Sequence, residues 1–349
     1  MSILEKIKKN SSIKDSAILA KSKFFTKKDM IPTSVPAMNI ALSGSLDGGL
    51  TPGLTMFAGM SKMFKTGFSL LMAKSYMDKY PDAALLFYDS EFGTPQAYFD
   101  SFGIDINRVL HTPIMDIEQL KMDIMQQLTQ IDREDKLIII IDSIGNMASK
   151  KEVDDALDGK SVADMTRAKQ LKSLFRMVTP HLSLKDIPMV VINHTYKTME
   201  LYAKDIVGGG TGSTYSSDNI FILGRQQDKD DKTKEILGYD FVINVEKSRY
   251  VREKSKIFIS VSHEKGIEKW SGLLEIAEES GHVNKTKIGN STAYSKVDMK
   301  TGAIDEKKYL TKDTNTKEFW TSIVEDASFK KFVEDKYCVS NGAIVQEES

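Results

Sequence analysis

The stretch Gly59-Met60-Ser61-Lys62-Met63-Phe64-Lys65-Thr66-Gly67 joins a glycine, a basic side chain and a hydroxyl at the spacing of a phosphate cradle. A loop that opens with Gly and closes with Lys-Thr at the head of a helix aims backbone N–H groups and the helix's positive end at one place. That geometry suits a polyphosphate. Lys65 would reach the β- and γ-phosphates, and the Thr66 hydroxyl would take a place on Mg²⁺. Phe64 stands where the consensus has Gly, so the competing reading is an ordinary strand-to-helix turn with a solvated Lys.

Three further side chains sit where such a cradle needs them. Asp142 ends the most apolar run of the chain, Leu137-Ile-Ile-Ile-Ile141, and a carboxylate there would support Mg²⁺ through water. Glu91, just past Ala84-Leu-Leu-Phe-Tyr-Asp89, is the candidate to orient and polarise an attacking water. His194 follows Asn193 at the end of another apolar run, where a donor could sense the terminal phosphate. A strand-end Asp capping a turn, a surface Glu and a hydrogen-bonded strand-end His are the plain alternatives.

Two long polar segments carry a second chemistry. One runs Ser149 to Ser161, with Lys150, Lys151 and Lys160, and leads into a helix bearing Arg167, Lys169 and Arg176 on its polar side. The other, Thr195 to Ser217, holds Tyr196, Lys197, Lys204 and Gly208-Gly209-Gly210-Thr-Gly212. Long irregular segments inside a compact domain are commonly functional. Lys, Tyr and Gly together suit a single-stranded backbone with bases splayed against aromatic rings. The glycine run is expected to precede no helix. Farther on, Lys247 and Arg249 open a basic run that could be plain surface or could reach a phosphate on a neighbouring subunit.

The elements that position these residues read as strands alternating with helices from Thr55 to about Val261. The strands are 84–89, 109–111, 137–141, 188–192, 220–223, 241–245 and 257–261, besides the cradle strand 54–58. Thr94-Pro95 and Thr112-Pro113 read as helix starts, the second followed by the stripe Ile117, Leu120, Ile124, Leu128 and Ile131. The pattern predicts an α/β fold with a twisted, mostly parallel sheet, whose ligand site lies beyond the carboxyl ends of the strands. Residues 1–45 are expected to form an N-terminal docking arm and a Pro32/Pro36-stiffened linker, 46–265 the core, and 266–349 a small C-terminal subdomain. Ile3, Leu4 and Ile7 give the arm an apolar edge that suits another subunit. Residues 284–318 look polar, with few apolar anchors.

With Lys plus Arg at 48 and Asp plus Glu at 49, any nucleic-acid surface must be local. No apolar run approaches the roughly 20 residues that span a bilayer. The charged start Met1-Ser-Ile-Leu-Glu-Lys is not expected to be a signal peptide. Cys338 is the only cysteine, which excludes an internal disulfide framework and fits a reducing cytoplasm.

Seven motifs stand in order: 59–66, Phe87-Tyr-Asp-Ser-Glu-Phe-Gly93, Ile141-Asp-Ser-Ile-Gly-Asn146, Met165-Thr-Arg-Ala-Lys169, Ile192-Asn-His-Thr195, 208–212 and Val245-Glu-Lys-Ser-Arg249. Together they resemble the RecA-type recombinases, in particular their phage branch. The likeness extends to Ser22-Lys-Phe-Phe25 and Lys312-Asp-Thr-Asn315 and is weaker between 284 and 310. It implies a RecA-like P-loop ATPase core that binds ATP and Mg²⁺ between protomers of a helical filament on single-stranded DNA. It also implies pairing with homologous duplex DNA, strand exchange, and help from a single-stranded-DNA-binding protein and a loading mediator. By the resemblance Tyr98 stacks on adenine, and His194 couples the γ-phosphate to the second DNA loop. Segments 150–163 and 195–212 are the two loops, and Lys247 and Arg249 reach the neighbour's phosphates. Phe64 agrees with the phage branch, whereas His194 stands where bacterial RecA has Gln. The sequence stops at Glu347-Glu348-Ser349, so no long acidic tail is expected. A ring-forming RecA-fold helicase and a non-catalytic DNA-coating filament protein are the two other readings.

Overall fold

The structure is a computed structural model that describes residues 2–13, 15–22, 29–159, 166–198, 205–230 and 233–340. Residues 23–25 of the N-terminal motif, Lys160, Met165, Lys204 and the end of the chain at 347–349 lie outside the described residues.

Helix α1 (Ile3–Asn10) starts at a reciprocal cap in which Ser2 and Glu5 satisfy each other's backbone N–H. Ile3, Leu4 and Ile7 on it are exposed. Helix α2 (Pro36–Ser43) carries Pro at its first turn and ends at Gly44, whose φ of 76° only glycine adopts freely. Ala37 to Ser43 are all buried, so this stretch of the expected linker is a core helix.

Next come β1 (Gly53–Ala58), α3 (Lys65–Lys79), β2 (Ala84–Asp89), α4 (Gln96–Ser101), β3 (Val109–Pro113), α5 (Ile117–Gln130) and β4 (Leu137–Asp142). They are followed by α6 (Lys150–Leu157), α7 (Thr166–Lys185), β5 (Pro188–Asn193), the short hairpin β6 (Thr195–Lys197) and β7 (Asp205–Val207), and α8 (Thr211–Ser216). Three long strands, β8 (Asn219–Lys229), β9 (Ile236–Lys247) and β10 (Lys256–Ser262), lead to the two-residue β11 (Gly266–Ile267). The C-terminal part holds α9 (Leu274–Glu279), β12 (Val283–Ile288), β13 (Ser291–Lys296), β14 (Tyr309–Leu310), α10 (Lys317–Val324) and α11 (Ala327–Tyr337).

Five local expectations change. Pro95 is the residue before α4 rather than its first. Thr112-Pro113 completes β3, and α5 starts instead after Asp116, whose carboxylate accepts from the Gln119 N–H at 2.8 Å. Segment 149–157 is not irregular: Ser149 and Glu152 form a capping box for α6. The glycine run does precede a helix, the six-residue α8. The polar stretch from 284 contains an antiparallel sheet, β12-β13-β14, whose Ala293, Tyr294 and Tyr309 are buried.

The main sheet has the order β11-β10-β9-β8-β1-β5-β4-β2-β3. From β8 to β3 all neighbours run parallel, while β9, β10 and β11 extend the other side antiparallel. Side chains alternate across the sheet. Ile138 and Ile140 therefore enter one buried cluster with α2, α3 and the C-terminal helices, and Ile139 and Ile141 enter the other with α5 and α7. This two-sided burial explains why β4 reads as an unbroken β-branched run. In register, Asp89 lies beside Asp142 and Ala58 beside Asn193. The cradle, Glu91 and His194 thus meet at one edge.

Candidate active site

The loop between β1 and α3 closes with Lys62 and Phe64 in left-handed conformations, at φ 62° and 57°. Phe64 precedes α3 and places no side-chain cap on its first N–H groups, so those donors remain for an anion. Lys65 is buried, and its Nζ donates to the carbonyls of Gly59 (3.0 Å) and Met60 (2.7 Å). Burial lowers its pKa, with Glu91 and Asp142 opposing. The Thr66 hydroxyl donates to Asp142 Oδ2 at 2.6 Å. Burial, reinforced by Glu91 and Asp89, pushes Asp142 up to about 6, against the Thr66 hydrogen bond.

Two oxygens so placed fit Mg²⁺, a hard cation that takes one or two protein ligands and completes its shell with phosphate and water. Among the described residues no group of three or more His, Cys, Asp or Glu could hold a metal by itself.

Glu91 faces the cradle from the turn after β2. Its Oε1 accepts from the Ser143 hydroxyl at 2.5 Å and lies 2.9 Å from His194 Nε2. The His194 contact foremost, then Ser143 and Lys65, hold Glu91 at about 2 despite partial burial. Ser143 follows Asp142 through a cis peptide bond. Its N–H donates to Ser90 Oγ, and Ser90 Oγ donates to the Ser143 carbonyl.

His194 is held from the chain side as well. Its N–H donates to Asn193 Oδ1, the Asn193 amide donates to the Gly208 carbonyl, and the Gly208 N–H donates to the His194 carbonyl, at 2.8, 2.8 and 2.9 Å. A Cβ at Gly145 would come within 2.1 Å of the His194 ring, so the bare glycine leaves the imidazole its place.

Lys65, Thr66, Asp142, Glu91 and His194 line one open cleft of about 1240 Å³. Tyr98 lines it from α4, packed edge-on against Phe102 at 5.4 Å, with burial pushing its phenol up to about 12. Sequence reasoning missed the opposite wall, which includes Arg225, Tyr239, His263, Lys265 and Lys269. Arg225 lies 4.3 Å over the Tyr239 ring and donates to the Lys62 carbonyl at 2.9 Å. The signal was available: Arg225 continues the alternation Phe221, Leu223 along β8, which points into the cleft-side cluster.

Lys247 and Arg249 do not line this cleft. Lys247 donates to the Thr214 and Tyr215 carbonyls at 2.9 and 3.2 Å, and burial lowers its pKa. Arg249 is largely exposed and pairs with Asp218 at 2.5 Å.

The candidate DNA contacts divide. Lys150 and Lys151 are exposed on α6, the latter paired with Asp155. Lys169 and Arg176 are exposed on α7, and Tyr196 and Lys197 on β6. Arg167 is engaged inside the protein, donating to the carbonyls of Ile144, Gly145 and Met147 at 2.7–2.8 Å, and so braces the turn after β4. Gly209 and Gly210 have φ of 87° and 78°, and a Cβ on them would meet Leu171 and Ala168 of α7 at 2.9 and 3.6 Å. Their conformation, and at Gly209 the close packing, account for glycine there.

A family model described as the RecA N-terminal domain matches residues 2–268. A second, the C-terminal domain of the bacteriophage T4 recombination and repair protein UvsX, matches residues 270–333. The chain is 49% identical over 345 residues to "Recombination and repair protein" of Enterobacteria phage T4, covering 97% of this chain and 88% of that one. It is 24% identical over 204 residues to "Protein RecA" of Mycoplasma mycoides, covering 56% of this chain and 57% of that one. The chain belongs to the RecA family, with a full-length likeness to its phage T4 member.

Proposed function

We propose that the chain is a recombination and repair ATPase that assembles on single-stranded DNA, pairs it with homologous duplex and exchanges strands. The observation that carries this reading is the joining of two groups in one cleft. Lys65, Thr66 and Asp142 form the phosphate and cation side, and Glu91 and His194, with Ser143 donating to Glu91, form the hydrolytic side. Family membership supports DNA-dependent ATP hydrolysis.

Lys65 would exchange the Gly59 and Met60 carbonyls for phosphate oxygens, with the loop N–H groups alongside. Bound Mg²⁺ supplies positive charge at the phosphates, and Thr66 and Asp142 would hold it. His194 and Ser143 keep Glu91 ionised in this structure. Its role is to orient and polarise the attacking water. A terminal phosphate competes with Glu91 for the His194 N–H. Since His194 is hydrogen-bonded in sequence to Asn193 and Gly208, that competition bears on the segment leading to Gly209 and Gly210. A ligand shifts an equilibrium only through differential contacts, and this is the contact that differs.

Lys247 and Arg249, standing away from the cleft of their own chain, are assigned to the nucleotide of a neighbouring protomer. The exposed apolar edge of α1 is assigned to docking on that neighbour, and residues 46–265 and 266–349 to the ATPase core and a C-terminal subdomain. A single-stranded-DNA-binding protein and a loading mediator are the expected partners, in the host cytoplasm. Among the described residues no helix is long and apolar enough to cross a membrane. The test is the ATPase rate with and without single-stranded DNA, paired with negative-stain imaging. DNA-stimulated hydrolysis with helical filaments is expected; closed rings, or filaments without hydrolysis, would refute the proposal.

A further inference from the structure

Behind Glu91 lies a second buried carboxylate that the hydrolytic scheme does not use. Asp89 ends β2 and is 3% exposed. Its Oδ1 accepts from the N–H groups of Glu91 (3.0 Å) and Phe92 (2.7 Å), which closes the turn carrying Glu91. Phe92 sits in that turn at φ 54°, a left-handed conformation that L residues avoid, so the turn needs an outside hold. The other oxygen, Oδ2, lies 3.2 Å from Nε2 of His111. A carboxylate oxygen accepts, so Nε2 is the donor. His111 belongs to β3, the edge strand of the main sheet, and stacks against Phe87 with ring centroids 6.0 Å apart.

We infer that His111 is a positioning residue for hydrolysis: from the edge strand it fixes the Asp89 carboxylate, and Asp89 in turn fixes the backbone of the Glu91 turn. This rests on the assignment of Glu91 to the attacking water. His111 is half-exposed and touches neither the cradle nor the cleft wall, so its removal acts on the placement of Glu91 and not on nucleotide binding.

The experiment uses the full chain with ATP, Mg²⁺ and single-stranded DNA. It compares the parent, His111→Ala, His111→Gln, Glu91→Gln and the double variant Glu91→Gln/His111→Ala. His111→Ala is expected to lower kcat about three- to tenfold, the effect of losing one partly exposed hydrogen bond to a carboxylate. KM, nucleotide-analogue affinity and filament length should stay at parent values. His111→Gln, whose amide can donate to the same oxygen, should keep at least about half of the rate. On the Glu91→Gln background the same His111 change should alter the residual rate by less than about twofold, because the two residues act through one group. A parent kcat in His111→Ala beside a Glu91→Gln reduced to its residual rate overturns the inference alone. So does an equal loss on both backgrounds, or a loss of filaments. A parent rate in Glu91→Gln overturns the Glu91 assignment beneath it.

Discussion

Phe64 is where the cradle departs from its consensus, and two opposing effects meet on it. Its φ of 57° and ψ of 23° cost a non-glycine residue about 1 kcal/mol. Against that, its ring packs edge-on to Phe68 at 5.2 Å and against Phe241 at 5.5 Å. Truncating a fully buried Phe to Ala costs about 3–5 kcal/mol, so the half-buried Phe64 should lose about 2 kcal/mol. Phe64→Ala loses the packing and keeps the strained backbone. Phe64→Gly loses the same packing but relieves the backbone, so its net loss should be about 1 kcal/mol. Urea titration followed by circular dichroism should rank the midpoints parent, Gly, Ala, with unchanged slopes. Gly67 provides an internal check, since a Cβ there would meet the Phe64 ring at 2.4–2.8 Å. Gly67→Ala should destabilise the parent yet gain up to about 1 kcal/mol on the Phe64→Gly background, where only helix propensity is left to act. Phe64→Ala matching or exceeding Phe64→Gly in stability would refute the strain argument.

Lys65→Ala should abolish ATP hydrolysis, measured as phosphate release. Glu91→Gln should keep analogue binding and cut turnover to a small residual rate. Its stability should also differ from the parent's in a pH-dependent way. The folded-state value is depressed from 4.5 to about 2, so the stabilisation is full above about 4.5 and fades as pH falls towards 2. Denaturation midpoints of parent and variant should therefore converge across that window; a constant gap would count against the His194 pairing. Lys247→Ala should impair turnover only in assembled filaments, read as a rate that no longer rises with protein concentration. Affinity for single-stranded DNA should fall with salt at a logarithmic slope of about −0.7 per phosphate neutralised. A flat dependence would remove Lys150, Lys151, Lys169 and Lys197 from the interface.

The large sheet was legible because its central strands are covered on both faces. Such strands are apolar throughout, and β2, β4 and β5 could be placed within a residue. The placement of the cradle, Asp142, Glu91 and His194 at one end of the sheet was legible because each lies at or just past the end of such a strand. What escaped the reading lacked that uniformity. The sheet β12-β13-β14 starts with a strand that buries only Val283 and leaves Lys285 and Lys287 exposed, so it reads as polar loop. Helix α6 has no buried residue and was declared only by its Ser149/Glu152 cap. Thr112-Pro113 carried a helix-start signal that pairing with β2 overrode. The far wall of the cleft was passed over because Arg225 and Tyr239 lie away from any motif, although the alternation along β8 marked Arg225. Ser143 was passed over because its importance to Glu91 depends on how the backbone turns after Asp142.

The close approach of Gly145 to His194 reaches beyond the geometry of one ring. The backbone at 145 is not in a region reserved for glycine, so the chain itself would accept alanine or serine there. The close contacts come from His194, which lies far away in sequence. Variation at these two positions is therefore tied: the loop can gain a side chain only in a lineage whose residue 194 has shrunk or turned aside.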